Sequence, residues 1–328
     1  MIIMDYRTLG KTNFKISEVS LGTWQLGSKW GDPFDADDAA RTLEAAYESG
    51  VNYFDTADIY QDGLSEHAVG QFLKKHPDVH YSTKMGRRIE PHSAANYSKQ
   101  NLMSFVDHSL KNMQVDALDL VLLHCPPTSV YDDPEVFQTL DDLKRMGKIR
   151  NYGVSVERVA EAITALQYDI SAVEIIFNMF RLRPATEFFA KAQAANVGIL
   201  ARVPLASGLL SGKYTAQTTF GKNDHRTFNR HGEAFDKGET FSGVDFETGL
   251  KAVDELKRRL KTDDLAPMAL RYILMYDAVS AVIPGASKPE QITANAAAAE
   301  RPPFTDAQMQ IVRDVYDNYI KDSVENLW

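Results

Sequence analysis

Leu118-Asp119-Leu120-Val121-Leu122-Leu123-His124 is a nearly continuous apolar run that ends in an imidazole. A strand with one face in water alternates apolar and polar residues, whereas an almost unbroken apolar run suits a parallel strand buried on both faces. Downstream, Asp133-Pro134 has the N-cap and first-turn order of a helix start, and Gly147 is the residue type that closes one. Residues 151–155 then read as the next strand. Strand, helix and strand in this order make a parallel-sheet unit, and the same unit recurs in both directions from it.

Upstream, residues 19–22, 53–56 and 81–84 read as strands one to three. Asp35 is placed to cap the first helix, with Asp38 at the capping-box position, and Gly50 ends it. Ser98 opens another, whose Leu102, Phe105, Val106, Leu110 and Met113 share one face. Downstream of the fifth strand, residues 172–178, 198–203 and 281–284 supply strands six to eight, with a helix near 185–195 and others at 245–261 and 267–276. Pro289 opens a helix after strand eight. Residues 206–242 show no clear period.

Eight strands, each followed by a helix, close into a barrel under the right-handed crossover rule. An open doubly wound sheet would need a Gly-rich turn after its first strand, and Gly22-Thr23-Trp24-Gln25-Leu26-Gly27 is not GxGxxG. Residues 6–9 and 14–16, joined through Gly10, predict a hairpin over the N-terminal end. The expected fold is therefore α/β: a (β/α)8 TIM barrel with an N-terminal β-hairpin and long loops at the C-terminal face, residues 1–328 forming one domain.

Bulk composition narrows the class. With 44% hydrophobic and 25% charged residues, the 328-residue chain has ample material for a large core. A net charge of -9 argues against a nucleic-acid partner and against adhesion to anionic membranes. No apolar run approaches the ~20 residues that span a bilayer. Cys125 is the single cysteine, so no intrachain disulfide forms. These features lead us to expect a soluble, cytoplasmic enzyme.

In such a barrel chemistry sits where strands end at the C-terminal face. Asp55 ends strand two, Lys84 ends strand three, His124 ends strand four, and Tyr60 follows Asp55 by five residues. A carbonyl accepting hydride develops negative charge on oxygen and needs a proton. Tyrosine is a weak acid, a neighbouring ammonium lowers its pKa, and Asp55 would keep Lys84 charged and oriented. His124 can donate a hydrogen bond to the carbonyl oxygen. Cys125 beside His124 would make a nucleophilic pair only if both faced the site, and adjacent strand residues point to opposite faces. Cys125 is expected just behind the site. A metal site from His76 and His80 is disfavoured, because both precede strand three, at the wrong end of the barrel.

The stretch Phe54-Asp55-Thr56-Ala57-Asp58-Ile59-Tyr60 with Gly63-Leu64-Ser65-Glu66 resembles the signature of the aldo-keto reductase family. Ser82-Thr83-Lys84, Leu122-Leu123-His124, Gly153-Val154-Ser155, Pro204-Leu205, Ser207-Gly208-Leu209-Leu210 and Ile283-Pro284-Gly285-Ala286-Ser287-Lys288 follow in the family's order. The likeness spans roughly residues 9–295 and is nearest to the bacterial general aldo-keto oxidoreductases. It implies a tetrad of Asp55, Tyr60, Lys84 and His124, with Tyr60 as general acid or base. It also implies NADP(H) across the barrel mouth, in contact with Pro204, Leu205, Ser207, Gly208, Leu210 and Gly285, and a small-molecule carbonyl substrate.

The chain departs from the family pattern in places. Where the family has Ser-Asn after strand five, this chain has Ser155-Val156, so one contact to the nicotinamide amide is missing. Asn178 is the candidate for the family's glutamine after strand six. Arg202 replaces the aromatic that stacks on the nicotinamide; its planar guanidinium can stack, or pair with a carboxylate. Ser287 and Lys288, before a helix N-terminus, match the position that meets the 2′-phosphate, although Lys288 also reads as a solvated helix-start residue. Gln291 and Asn295, four apart, would face the adenosine end. Trp24, after strand one, reads as a substrate-pocket wall or as rim packing. The segment 206–242 is expected to fold over the pyrophosphate. Two rival readings are a nicotinamide-binding redox sensor with slow turnover, like potassium-channel β-subunits, and a metal-dependent barrel hydrolase using Asp55 and His124.

Overall fold

The computed structural model describes residues 2–28 and 32–328. Its first strands, β1 (Tyr6–Thr8) and β2 (Lys15–Ser17), pair antiparallel as the expected hairpin. Gly10 lies at the hairpin turn with φ +48°, and a Cβ there would sit 2.4 Å from the carbonyl oxygen of Ser171 and 2.3 Å from the backbone nitrogen of Gly198. Only a residue without a side chain lets the hairpin come this close to the barrel.

Eight parallel strands follow: β3 (Leu21–Gly22), β4 (Tyr53–Asp55), β5 (His80–Met85), β6 (Leu118–His124), β7 (Ile149–Val156), β8 (Ala172–Ile176), β9 (Gly198–Arg202) and β10 (Val279–Ile283). They are hydrogen-bonded in chain order from β3 to β10. Parallel bridges of Val19 to Val282 and Gly22 to Gly285 join the two ends. The amide of Gly22 donates to Pro284 O at 3.0 Å, and the amide of Val282 donates to Glu18 O at 2.9 Å, so the cylinder is closed.

Side-chain alternation along these strands explains what fills the cylinder. Tyr53, Leu120, Leu122, Ala172, Leu200, Ala281 and Ile283 point inward and pack on Leu9 and Ile16 from the hairpin region. One step of two residues further along, the inward positions turn polar: Asp55, Lys84, His124, Ser155, Glu174 and Arg202. The lower barrel is thus a dry plug and its upper layer a ring of hydrogen-bonding and charged groups. The outward faces pack on the helices in a much larger apolar core.

The helix starts are where their caps predict. Asp35 accepts from the amide of Asp38 at 2.8 Å, Asp133 from Glu135 at 3.0 Å, and Ser98 from Asn101 at 3.4 Å. Three regions differ from expectation. The helix expected near 185–195 is two pieces, Arg183–Glu187 and Phe189–Ala194, joined at Phe188, whose φ widens to -114° and whose side chain is fully buried. The segment 206–242 carries 3-10 turns at Ala206–Ser211 and Lys237–Glu239 and a short helix at His225–Phe228. Helices at Asp306–Val315 and Lys321–Val324 were not foreseen, although Thr305 and Gln308 form a capping box at the first. Beyond them Trp328 is buried, its ring over the Arg181 guanidinium at 4.1 Å and its indole N–H donating to Asp236 at 2.8 Å. Among the described residues no helix is long and apolar enough to cross a membrane.

Candidate active site

The ends of β4 and β5 bring the first three groups together. Asp55 accepts from the Ser82 hydroxyl at 2.6 Å through one carboxylate oxygen and from Lys84 Nζ at 2.5 Å through the other. Lys84, 1% exposed, also donates to Thr56 O at 3.1 Å and to the Tyr60 hydroxyl at 3.3 Å. Gln61, Asp62 and Gly63 follow with φ of 51°, 53° and 87°. Three successive left-handed residues turn the chain sharply, and the turn sets Tyr60 over Lys84, whose Nζ is 5.1 Å from the ring centroid.

Burial pulls the Lys84 ammonium toward neutrality, but Asp55 and Glu174 overcome it and hold its pKa well above the usual lysine range. Burial pushes Tyr60 above the usual phenol range; Lys84 pulls it back in part, and Asp55 and Glu174 oppose that pull. This corrects the expectation of a lowered tyrosine pKa. Lys84 acts in the expected direction, but desolvation is the larger effect. The hydroxyl is protonated at neutral pH, as a proton donor requires.

His124 presents its ring edge-on to Tyr60, with centroids 6.0 Å apart and planes at 81°. Burial, then the positive charges of Arg87, Lys84 and Arg202, hold its pKa well below the usual histidine value, so the imidazole is neutral. Its Nδ1 is buried and makes no hydrogen bond among the described residues. Its backbone carbonyl accepts from Arg87 Nε at 3.1 Å.

Above this ring lies a cavity of about 480 Å3, within the size range of small-molecule and cofactor sites. Asp55, Tyr60, His124 and Trp24 border it, with Lys84 directly beneath. Trp24 packs on Tyr60 with ring centroids 6.3 Å apart and on Phe235 at 6.2 Å, so it belongs to the cavity wall. Of the residues expected around a cofactor, Ser155, Arg202, Pro204 and Leu205 border the cavity, as do Ser207, Gly208, Gly285 and Gln291. Leu210 is buried in the apolar core. Lys288 is the exposed N-cap residue of the helix Pro289–Ala296, on which Asn295 is buried. Both Ser287 N and Ser287 Oγ donate to Gln291 Oε1, at 2.8 and 3.2 Å.

Asn178 does not border the cavity. Its amide nitrogen donates to Val203 O at 2.8 Å and to the Ser242 hydroxyl at 2.7 Å, and its oxygen accepts from the amide of Phe180 at 2.8 Å. Its side-chain amide is thus engaged with two backbone groups and one hydroxyl. The polar residue that β8 turns into the cavity is Glu174, opposite Ser155 in the sheet register. Its signal was in the sequence: a lone carboxylate within Ala172-Val173-Glu174-Ile175-Ile176, two residues beyond an inward alanine. Burial, then repulsion from Asp55, pushes Glu174 up to about 8 against the pull of Lys84 and Arg202.

Arg202 takes the carboxylate-paired arrangement. It donates to Glu239 at 2.5 Å, to Glu157 at 3.1 Å and to Val156 O at 2.9 Å. Glu239 arrives on the long 206–242 segment, so a loop residue completes the wall. Cys125 is also at the cavity and not behind it: β6 ends at His124, and a positive φ of 45° at Cys125 turns the thiol to within 3.5 Å of the Ser155 hydroxyl. Burial pushes the thiol far above its usual range. Cys125, Glu157 and Glu239 converge closely enough to suggest metal ligands, but the Arg202 guanidinium already donates to all three.

Residues 18–317 match the family model described as "Aldo/keto reductase family". An uncharacterized oxidoreductase of Bacillus subtilis, YqkF, is 30% identical over 317 residues, 94% of this chain and 96% of that protein. The solved aldo-keto reductase AKR11C1 of Bacillus halodurans, in its holo form, is 30% identical with a TM-score of 0.76, covering 95% of this chain and 96% of its own. The glycerol dehydrogenase AKR11B4 of Gluconobacter oxydans is 27% identical with a TM-score of 0.78, covering 99% and 98%. With the barrel, the site geometry and these likenesses agreeing over nearly the whole length, the chain belongs to the aldo/keto reductase family of oxidoreductases.

Proposed function

We propose that this protein reduces the carbonyl of small aldehydes or ketones to the alcohol with NADPH, and that Tyr60 delivers the proton. The observation that carries the reading is the buried chain from Asp55 through Lys84 to the Tyr60 hydroxyl, at the floor of an open cavity and beside a neutral His124.

The residues present fit a nicotinamide cofactor. Ser155, Arg202, Ser207, Gly208 and the exposed Gly285 border the same cavity as Asp55, Tyr60 and His124. The orphaned Nδ1 of His124 is a buried polar atom of the kind a bound group satisfies. Lys288 and Ser287 stand at a helix start, where backbone N–H groups and an ammonium suit a 2′-phosphate. When bound, the cofactor supplies the hydride. This chain's residues do the rest. Neutral His124 offers an N–H to the carbonyl oxygen and orients it. Tyr60 gives its proton to that oxygen as negative charge develops there. The Lys84 ammonium, 3.3 Å away, stabilises the resulting tyrosinate, and Asp55 keeps Lys84 charged. Trp24 and Phe235 wall the substrate side and exclude water. The single, buried Cys125 suits work in a reducing cytoplasm.

The test is oxidation of NADPH and of NADH across a panel of aldehydes, ketones, quinones and sugars. Turnover with NADPH preferred is expected; a purified protein that binds NADPH but turns over no carbonyl would favour the redox-sensor reading.

A further inference from the structure

The Lys84 ammonium has two carboxylate neighbours. Asp55 Oδ2 lies 2.5 Å from Nζ, and Glu174 Oε2 lies 3.4 Å from it on the opposite wall. Both carboxylates are nearly inaccessible to water. Asp55 has a second donor, the Ser82 hydroxyl. Glu174 Oε2 has no hydrogen bond of its own, and Glu174 Oε1 takes only a long one of 3.4 Å from the Ser155 hydroxyl. The remaining charged group facing Glu174 is Arg202, whose Nε is 3.9 Å away and which is already engaged with Glu157 and Glu239. Tyr53 and Tyr60 face the same cluster, and both are raised in part by Glu174.

One ammonium between two ionised carboxylates leaves a net negative charge beneath Tyr60. One ammonium with one ionised and one protonated carboxylate leaves none. Tyrosinate forms readily only in the second state, because the Lys84 charge is then answered by Asp55 alone. We propose that Glu174 is a positioning residue for proton delivery: as the second carboxylate on Lys84, it sets, by holding or losing a proton, how much of the ammonium charge reaches Tyr60. The inference rests on Tyr60 being the proton donor. Protonated Glu174 favours carbonyl reduction, and ionised Glu174 suppresses it. The alkaline loss of reduction rate therefore follows Glu174, whose carboxyl burial and Asp55 push up to about 8, before Tyr60 itself ionises.

The test compares the parent with Glu174→Gln, which keeps the shape and removes the charge. In the parent, the rate of carbonyl reduction is expected to fall roughly tenfold between about pH 7 and 9, the change in the protonated fraction of a group with that midpoint. In Glu174→Gln this limb should flatten. The cofactor-free proteins give an independent readout. Ultraviolet titration of tyrosinate, with Tyr60→Phe subtracted, should show the Tyr60 midpoint falling by roughly one pH unit or more in Glu174→Gln. Superimposable rate profiles together with an unchanged Tyr60 midpoint would overturn the role of Glu174. A Tyr60→Phe protein as active as the parent would instead overturn the proton-donor assignment on which it rests. If Glu174→Gln does not fold, infrared spectra of the parent decide. Burial also pushes Asp58 up to about 8 and Glu157 up to about 7, so a protonated-carboxyl band that survives both Asp58→Asn and Glu157→Gln and vanishes through about pH 8 supports the proposal; its absence sinks it.

Discussion

The hydroxyl of Tyr60 and the ammonium of Lys84 meet at 3.3 Å, and the ammonium lies over the face of the same ring at 5.1 Å from its centroid. Lys84 thus touches the proposed proton donor through both its oxygen and its π-system, while Asp55 anchors the ammonium. Tyr60→Phe keeps the ring and its packing on Trp24 and removes the transferable proton. Carbonyl reduction should fall by about 10²–10⁴-fold, the usual contribution of a general acid, with the dissociation constant for NADPH nearly unchanged. Steady-state rates and cofactor fluorescence titration read the two effects separately.

Lys288→Ala should weaken NADPH more than NADH. Lys288 is exposed at the start of the Pro289–Ala296 helix, and the cofactors differ only in the 2′-phosphate. A hydrogen bond to a charged group contributes about 1.5–3 kcal/mol, which is roughly 10–100-fold in affinity. Added salt should narrow the parent's preference, because the contact is near solvent. Equal losses for both cofactors would mean that Lys288 shapes the loop without reading the phosphate.

Cys125 should resist alkylation in the folded protein despite facing the cavity. It is 5% exposed, and burial raises the thiol's pKa, so little thiolate exists at neutral pH. Modification at least about tenfold slower than that of a small free thiol is expected. Labelling at the free-thiol rate would show an activated cysteine.

Gly243→Ala should destabilise the protein by about 1–3 kcal/mol, the usual cost of overpacking combined with backbone strain. The glycine has φ +81°, and an added Cβ would lie 2.3 Å from the Trp328 ring. Denaturant unfolding would measure it; a wild-type midpoint would mean that the indole can move aside freely.

Much of the fold is legible in the sequence alone. Caps at Asp35, Ser98 and Asp133 fixed helix starts because a short polar side chain meeting an orphan N–H is a local event. Asp55, Lys84 and His124 were legible because barrel strands aim their last inward residue at the mouth. What escaped depended on geometry between distant segments. Asn178 is the match to the family's glutamine after strand six, yet its partners Val203 and Ser242 lie on other elements, which no local pattern shows. Cys125 was placed behind the site because alternation was extended one residue past the end of β6, where a left-handed backbone cancels it. Arg202 was open between stacking and pairing until Glu239 arrived from 37 positions away.

The plug of Leu9, Ile16, Leu120, Leu122, Leu200 and their neighbours has a kinetic corollary. With the barrel axis filled below the polar ring, the reaction chamber is a blind pit, and nothing passes through the far end. Whatever comes in and whatever leaves share a single doorway, roofed in part by the segment that carries Glu239. A product that lingers in that doorway would stand in the way of the next substrate, so release and entry would compete for the same passage.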